Sequence, residues 1–121
     1  MPARFPPGIA AAVRHFNAGR FFEAHEAFEA LLDAVEGDER WDLLVALIQV
    51  AVGYHKRSSG HPGAERMLGL GAEKLARFPA VAYGIDLEAL RRRVADDLAG
   101  TPTASPPRIE MGARRRPERQ G

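Results

Sequence analysis

The chain has 121 residues, 45% of them hydrophobic and 27% charged, a formal net charge of +1 and no cysteine. Such a length suits one domain with a real core, the composition is that of a globular chain, and the missing thiols exclude a disulfide framework, a thiolate nucleophile and a thiolate metal site. The charge is uneven: residues 1–99 hold 12 basic against 14 acidic side chains and residues 100–121 hold five Arg against two Glu, so an acidic body carries a basic tail.

An acidic body has no electrostatic footprint for nucleic acid, and the short basic tail supports such binding only weakly. The opening Met1-Pro2-Ala3-Arg4-Phe5-Pro6-Pro7 lacks a continuous apolar leader. The longest mostly apolar run, Leu43 to Tyr54, contains Gln49 and is too short to span a bilayer. The expectation is a cytoplasmic protein with no membrane partner.

Strand alternation is nearly absent and a 3.6-residue period recurs, which predicts an all-α, compact bundle of about five helices. The first helix runs from about Gly8 to Asn17, with Ile9, Ala12, Val13 and Phe16 on one face and Gly19 beyond its end. The second runs from about Arg20 to Glu36, its stripe formed by Phe21, Ala24, Phe28, Leu31, Leu32 and Val35, with Gly37 as a left-handed terminator. Asp38 caps the third, from about Glu39 to Arg57. That helix is apolar on two sides, Trp41, Leu44, Val45, Ile48 and Val52 on one and Leu43, Leu47, Val50 and Tyr54 on the other, which predicts a central position.

Ser58-Ser59-Gly60-His61-Pro62 forms a turn, and Pro62 suits the first position of a fourth helix carrying Ala64, Met67, Leu68, Leu75 and Phe78 as far as Pro79. Asp86 caps a fifth helix with Leu87, Leu90, Val94 and Leu98 inward. Two helical hairpins plus a C-terminal helix thus account for a single domain, residues 1–99. From Gly100 to Gly121 the alternation of Pro, Arg and Ser predicts an irregular basic tail that lies against the body or a neighbour if it is ordered at all.

The densest polar constellation is Phe21-Phe22-Glu23-Ala24-His25-Glu26-Ala27-Phe28-Glu29. On a helix His25 and Glu29 are neighbours at i, i+4, His25 falls inside the apolar stripe and Glu29 at its edge. One reading is a polar knot between the second and third helices. Asp42, Ala46, Gln49 and Gly53 form a small-and-polar strip on the third helix that would admit the second closely and offer the Gln49 amide to His25 or Glu29. The other reading starts from the spacing of the His-Glu-x-x-His metalloprotease motif with Glu29 in place of the second His. There His25 and Glu29 would be ligands, His61 or His55 a third, and Glu26 the general base.

His55 shares a face with Trp41, Ile48 and Val52, and His61 sits in a turn. The runs Arg91-Arg92-Arg93 and Arg114-Arg115-Arg116 are most simply solvated. No phosphate-binding loop ending in Lys-Ser or Lys-Thr exists, and no serine sits in a Gly-x-Ser-x-Gly elbow. No pair of Glu-x-x-His motifs supports a di-iron bundle.

Phe16-Asn17-x-Gly19-x-Phe21-Phe22-Glu23-Ala24-His25-Glu26-x-x-Glu29, then Leu47-Ile48-Gln49-x-Ala51, then Gly63-Ala64 with Leu68, resembles the prokaryotic family known as domain of unknown function 309, over residues 16–75. The resemblance implies a compact helical bundle without an established activity, with His25, Glu26, Glu29 and Gln49 on signature positions. Two departures stand out: Leu32 replaces a tryptophan common in members, and Ala46 replaces a glycine.

The leading expectation is a non-catalytic module that binds a protein or small ligand through His25, Glu26, Glu29, Gln49 and His55. The alternative is a metal-dependent hydrolase with His25, Glu29 and His61 as ligands and Glu26 as base. No cofactor is implied by the first, a divalent metal by the second, and oligomerisation is open.

Overall fold

Five helices form where the 3.6-residue period places them. The computed structural model describes residues 4–112, and the elements run α1 (Ile9–Asn17), α2 (Phe21–Glu29), a 3-10 turn (Leu32–Val35), α3 (Glu39–Ser58), α4 (Ala64–Leu75), β1 (Val81–Ala82), β2 (Ile85–Asp86) and α5 (Leu87–Leu98). Buried residues of α1 are Ile9, Ala12, Val13 and Phe16, the stripe expected. The Asp38 carboxylate accepts from the Arg40 amide at 2.7 Å and starts α3; that of Asp86 accepts from the Ala89 amide at 3.0 Å and starts α5.

Consecutive helices pack on one another, and α3 takes α2 on one side and α4 on another. Its contact with α4 is the tightest in the fold. A Cβ on Gly53 would stand 2.6 Å from Leu68 Cγ, and one on Gly71 would stand 2.7 Å from Val50 Cγ2. The glycines therefore let the two backbones approach as no larger residue could. Phe16, Phe28, Leu43, Leu44, Leu47, Leu68, Leu75 and Leu90 are fully buried at the centre. Phe16 also meets Phe21 edge-on at 5.1 Å and Tyr54 at 6.0 Å, tying α1 to α2 and α3.

Three expectations need correction. The second helix does not run to Glu36: it ends at Glu29, Leu31 donates to the Phe28 carbonyl at 3.0 Å, and the chain tightens into the 3-10 turn that brings it round to α3. Phe28 and Val35 are buried in either winding, so periodicity could not separate the two. The fourth helix is shorter at both ends, starting at Ala64 and ending at Leu75; Pro62 lies in the turn before it, and His61 Nδ1 accepts from the Gly63 amide at 2.9 Å.

The third correction is a small antiparallel hairpin, Val81 opposite Asp86 and Ala82 opposite Ile85. Its two-residue turn holds Tyr83 at φ 53° and Gly84 at φ 81°, the positive values such turns require. Tyrosine is an unusual occupant. Its ring packs on Phe5 at 5.5 Å and its hydroxyl donates to Glu39, which fixes the turn against α3 and the N-terminal segment.

The part of the expected tail up to Gly112 runs back along the body. Ile109 is 1% exposed, its amide donating to Asn17 Oδ1 at 2.7 Å and its carbonyl accepting from Asn17 Nδ2 at 3.0 Å. Met111 bridges Ile85, and the Asp86 amide donates to the Glu110 carbonyl at 3.0 Å, adding a third short strand segment to the hairpin. Arg114-Arg115-Arg116 lies outside the described residues. Among those described, no helix is long and apolar enough to cross a membrane.

Candidate functional site

The winding of α2 buries Ala24 and Phe28 and leaves Phe22, Glu23, Glu26 and Glu29 exposed. His25 falls between these faces, its side chain 21% exposed beside a Glu29 that is 59% exposed. The two are neighbours, His25 Nε2 standing 3.8 Å from Glu29 Oε2, outside hydrogen-bond reach. Glu26 points to solvent a further turn-fraction around the helix.

What the structure gathers around His25 is aromatic. Phe22 is 45% exposed, and its ring lies tilted against His25 at 5.5 Å and against His55 of α3 at 5.4 Å. Phe22 thus joins the two imidazoles across the α2–α3 boundary. His55, one turn before the end of α3, is exposed, and the half-buried Trp41, Val45, Ile48 and Val52 continue its face along the helix.

Gln49 is not joined to this group by a hydrogen bond. Its Oε1 is buried without a partner, and about 120° of helix separates it from His55 at about 100° per residue. Ala46 and Gly53 lie at i−3 and i+4 from Gln49, on the side where Gly53 meets Leu68. The small-and-polar strip therefore receives α4, not α2 as the sequence suggested. His61 is exposed in the turn before α4 with its ring engaged by Gly63. Among the described residues no three His, Asp or Glu side chains are gathered as a metal site requires.

The strongest polar network lies elsewhere and the sequence reading missed it. Asp97, the one buried charged residue among those described at 8% exposure, accepts from Tyr54 Oη at 2.6 Å and from Arg93 Nε at 3.0 Å. Arg57 donates to the Asp97 carbonyl at 3.1 Å, and Arg93 to Thr103 Oγ1 at 2.9 Å. Burial, then the hydrogen bond and charge of Asp97, pushes the Tyr54 hydroxyl well above the usual phenol range. Arg93 is accordingly not a merely solvated residue. A signal was present: Asp97 lies seven residues beyond Leu90 and three beyond Val94, at the edge of the buried face of α5.

Two open concavities mark the surface. One, of about 720 Å³, is lined by Pro79, Val81, Asp86, Glu88 and Arg92. The other, of about 1100 Å³, is lined by Phe5, Pro6, Ile9, Glu39, Tyr83 and Met111. Burial and the hydrogen bond to Glu39 push Tyr83 up to about 12. His25, Glu26, Glu29, Gln49 and His55 line neither concavity.

No curated protein matches the chain. Residues 9–68 match a family model described as Domain of unknown function (DUF309), so the segment from the start of α1 into α4 belongs to that family.

Proposed function

We propose that this chain is a non-catalytic protein-binding module whose recognition face is the α2–α3 surface around Phe22. The observation that carries the reading is the exposure of Phe22. An aromatic ring that is 45% exposed, flanked by two imidazoles and continuous with a half-buried apolar stripe, has the make-up of an interface anchor. Glu26 and Glu29 supply a charged rim, and His25 and His55 offer ring nitrogens that donate or accept. Gln49 enters this reading only as a flank of the same stripe. The location that goes with it is the cytoplasm of a prokaryotic cell.

The test is a photo-crosslinking phenylalanine analogue at position 22, with the same analogue at exposed Ala95 on α5 as the control. A discrete adduct with another protein chain is expected from position 22 and not from position 95, and it should fade when Glu26 and Glu29 are changed to Lys. Equal labelling from both positions, or none from either, refutes the module.

A further inference from the structure

α3 is covered by α2 and α4 on two sides, but Trp41, Val45, Ile48 and Val52 remain half-buried and His55 exposed. Those positions are spaced 4, 3, 4 and 3 residues apart. That is the spacing of a coiled-coil seam, the pattern that aligns a second helix at a shallow angle. Counted from Ile48 the offsets are −7, −3, +4 and +7, so the seam reads almost the same in both directions.

We infer that this face binds a second copy of the chain, with the two α3 helices antiparallel about a two-fold axis near Ile48. The inference rests on reading the α2–α3 surface as protein-binding and names the occupant of its α3 half. A two-fold contact needs a patch complementary to itself. The seam meets that need: Ile48 faces Ile48 of the second copy, Val45 faces Val52, and Trp41 faces His55 with Phe22 beside it.

Charge chooses the direction. The first turn of α3 carries Glu39 and Asp42, and its last turn carries His55, Lys56 and Arg57. Asp42 and Lys56 lie on the same flank of the seam, fourteen residues apart, with Gln49 midway between them. Antiparallel helices bring equal flanks together, so each Asp42 meets Lys56 of the other copy. A parallel arrangement would bring opposite flanks together and leave Asp42 and Lys56 at opposite ends of the seam, with no pairing between them. Fourteen residues give a seam about 21 Å long and about 10 Å wide, short of the roughly 600 Å² per partner of a small stable interface. The α2 ridge with Phe22 and His25 alongside widens it.

Sedimentation equilibrium on the full chain tests this. The wild type should be a dimer, and Val45→Glu a monomer with an unchanged helical circular-dichroism spectrum. Asp42→Lys, at an exposed position, and Lys56→Glu, at a half-buried one, should each weaken the dimer by about tenfold, two ion pairs on the flank of the seam being reversed by symmetry. The double variant Asp42→Lys/Lys56→Glu should restore it. A wild type that stays monomeric up to about 1 mM overturns the inference, as does a dimer that either single charge reversal strengthens. A monomeric chain that still yields the position-22 adduct with a different protein overturns the second copy alone. A dimer whose position-22 adduct is only with itself supports it.

Discussion

Replacing Asp97 by alanine should be the most costly single polar change in this fold. Tyr54 is 5% exposed and donates to Asp97 at 2.6 Å, so the variant leaves a buried hydroxyl with no acceptor, a loss of about 1–3 kcal/mol. Arg93 loses its carboxylate too, but its side chain is 20% exposed and keeps Thr103 at 2.9 Å. It can rehydrate, so its share stays well below the roughly 3–5 kcal/mol of breaking a fully buried pair. The Arg57 bond goes to the main-chain oxygen of Asp97 and survives. Together these give about 2–3 kcal/mol and a lowering of Tm by about 10 °C. Tyr54→Phe removes the donor and leaves the carboxylate with Arg93, costing only about 1 kcal/mol. Because the orphaned hydroxyl is then absent, Tyr54→Phe/Asp97→Ala should cost less than the sum of the single changes by about 1 kcal/mol. Urea unfolding followed by far-ultraviolet circular dichroism measures all three. An Asp97→Ala variant within about 0.5 kcal/mol of wild type, or strict additivity in the double variant, would show that the network does not hold α5 to α3 as argued.

Two glycines on α4 should respond with opposite sign to the same substitution. Gly69→Ala meets no atom within 4 Å and should stabilise the chain by up to about 1 kcal/mol through helix propensity. At Gly71 the new Cβ would lie 2.7 Å from Val50 Cγ2 and 3.2 Å from the Ala46 carbonyl, so overpacking should outweigh propensity and leave a net loss of about 1–2 kcal/mol; equal effects at both sites in urea unfolding would contradict the close α3–α4 approach. Asn17→Ala deletes both hydrogen bonds to Ile109 and should cost about 1–2 kcal/mol while accelerating hydrogen exchange at the Ile109 amide, and unchanged protection there would mean that Asn17 does not hold the C-terminal segment. The chain's two tyrosines both have raised pKa values, Tyr83 to about 12. Above about pH 10 the unfolded chain therefore loses phenolic protons before the folded one, and stability should fall as pH rises through that range. Absorbance at 295 nm should show delayed ionisation in the native protein and ordinary ionisation in guanidinium; coincident titrations would refute the burial of Tyr54.

The helices were legible because each is written by a periodic stripe and by punctuation that has one local meaning. Ile9, Ala12, Val13 and Phe16 could face only one way, and Asp38 and Asp86 could be read as caps from their position before apolar runs. The hairpin was not, since its turn uses Tyr83 where asparagine or aspartate is the usual partner of glycine, and what holds Tyr83 at positive φ is its distant contact with Phe5 and Glu39. The C-terminal segment was illegible for the same reason. Its order depends on Asn17, 92 residues earlier, and no local composition reports such a bond.

The polar cluster shows where one-dimensional reasoning loses the site. Projection places His25 in the apolar stripe, and the structure leaves it partly exposed against the tilted ring of Phe22, a residue the stripe does not include. The sequence pairs Gln49 with His25 only if the small residues on α3 admit α2. Gly53 and Ala46 do admit a helix closely, but it is α4, whose own Gly71 completes the approach. The same ambiguity governs the apolar girth of α3. A helix that is hydrophobic nearly all round is central to something, and periodicity does not say whether the last face is covered by the same chain or by another. Leu43, Leu44, Leu47 and Val50 are covered from within, while Trp41, Val45, Ile48 and Val52 are covered only in part. Sequence and fold together therefore separate two kinds of hydrophobicity on one helix: a set used up by folding, and a heptad-spaced remainder still available for association.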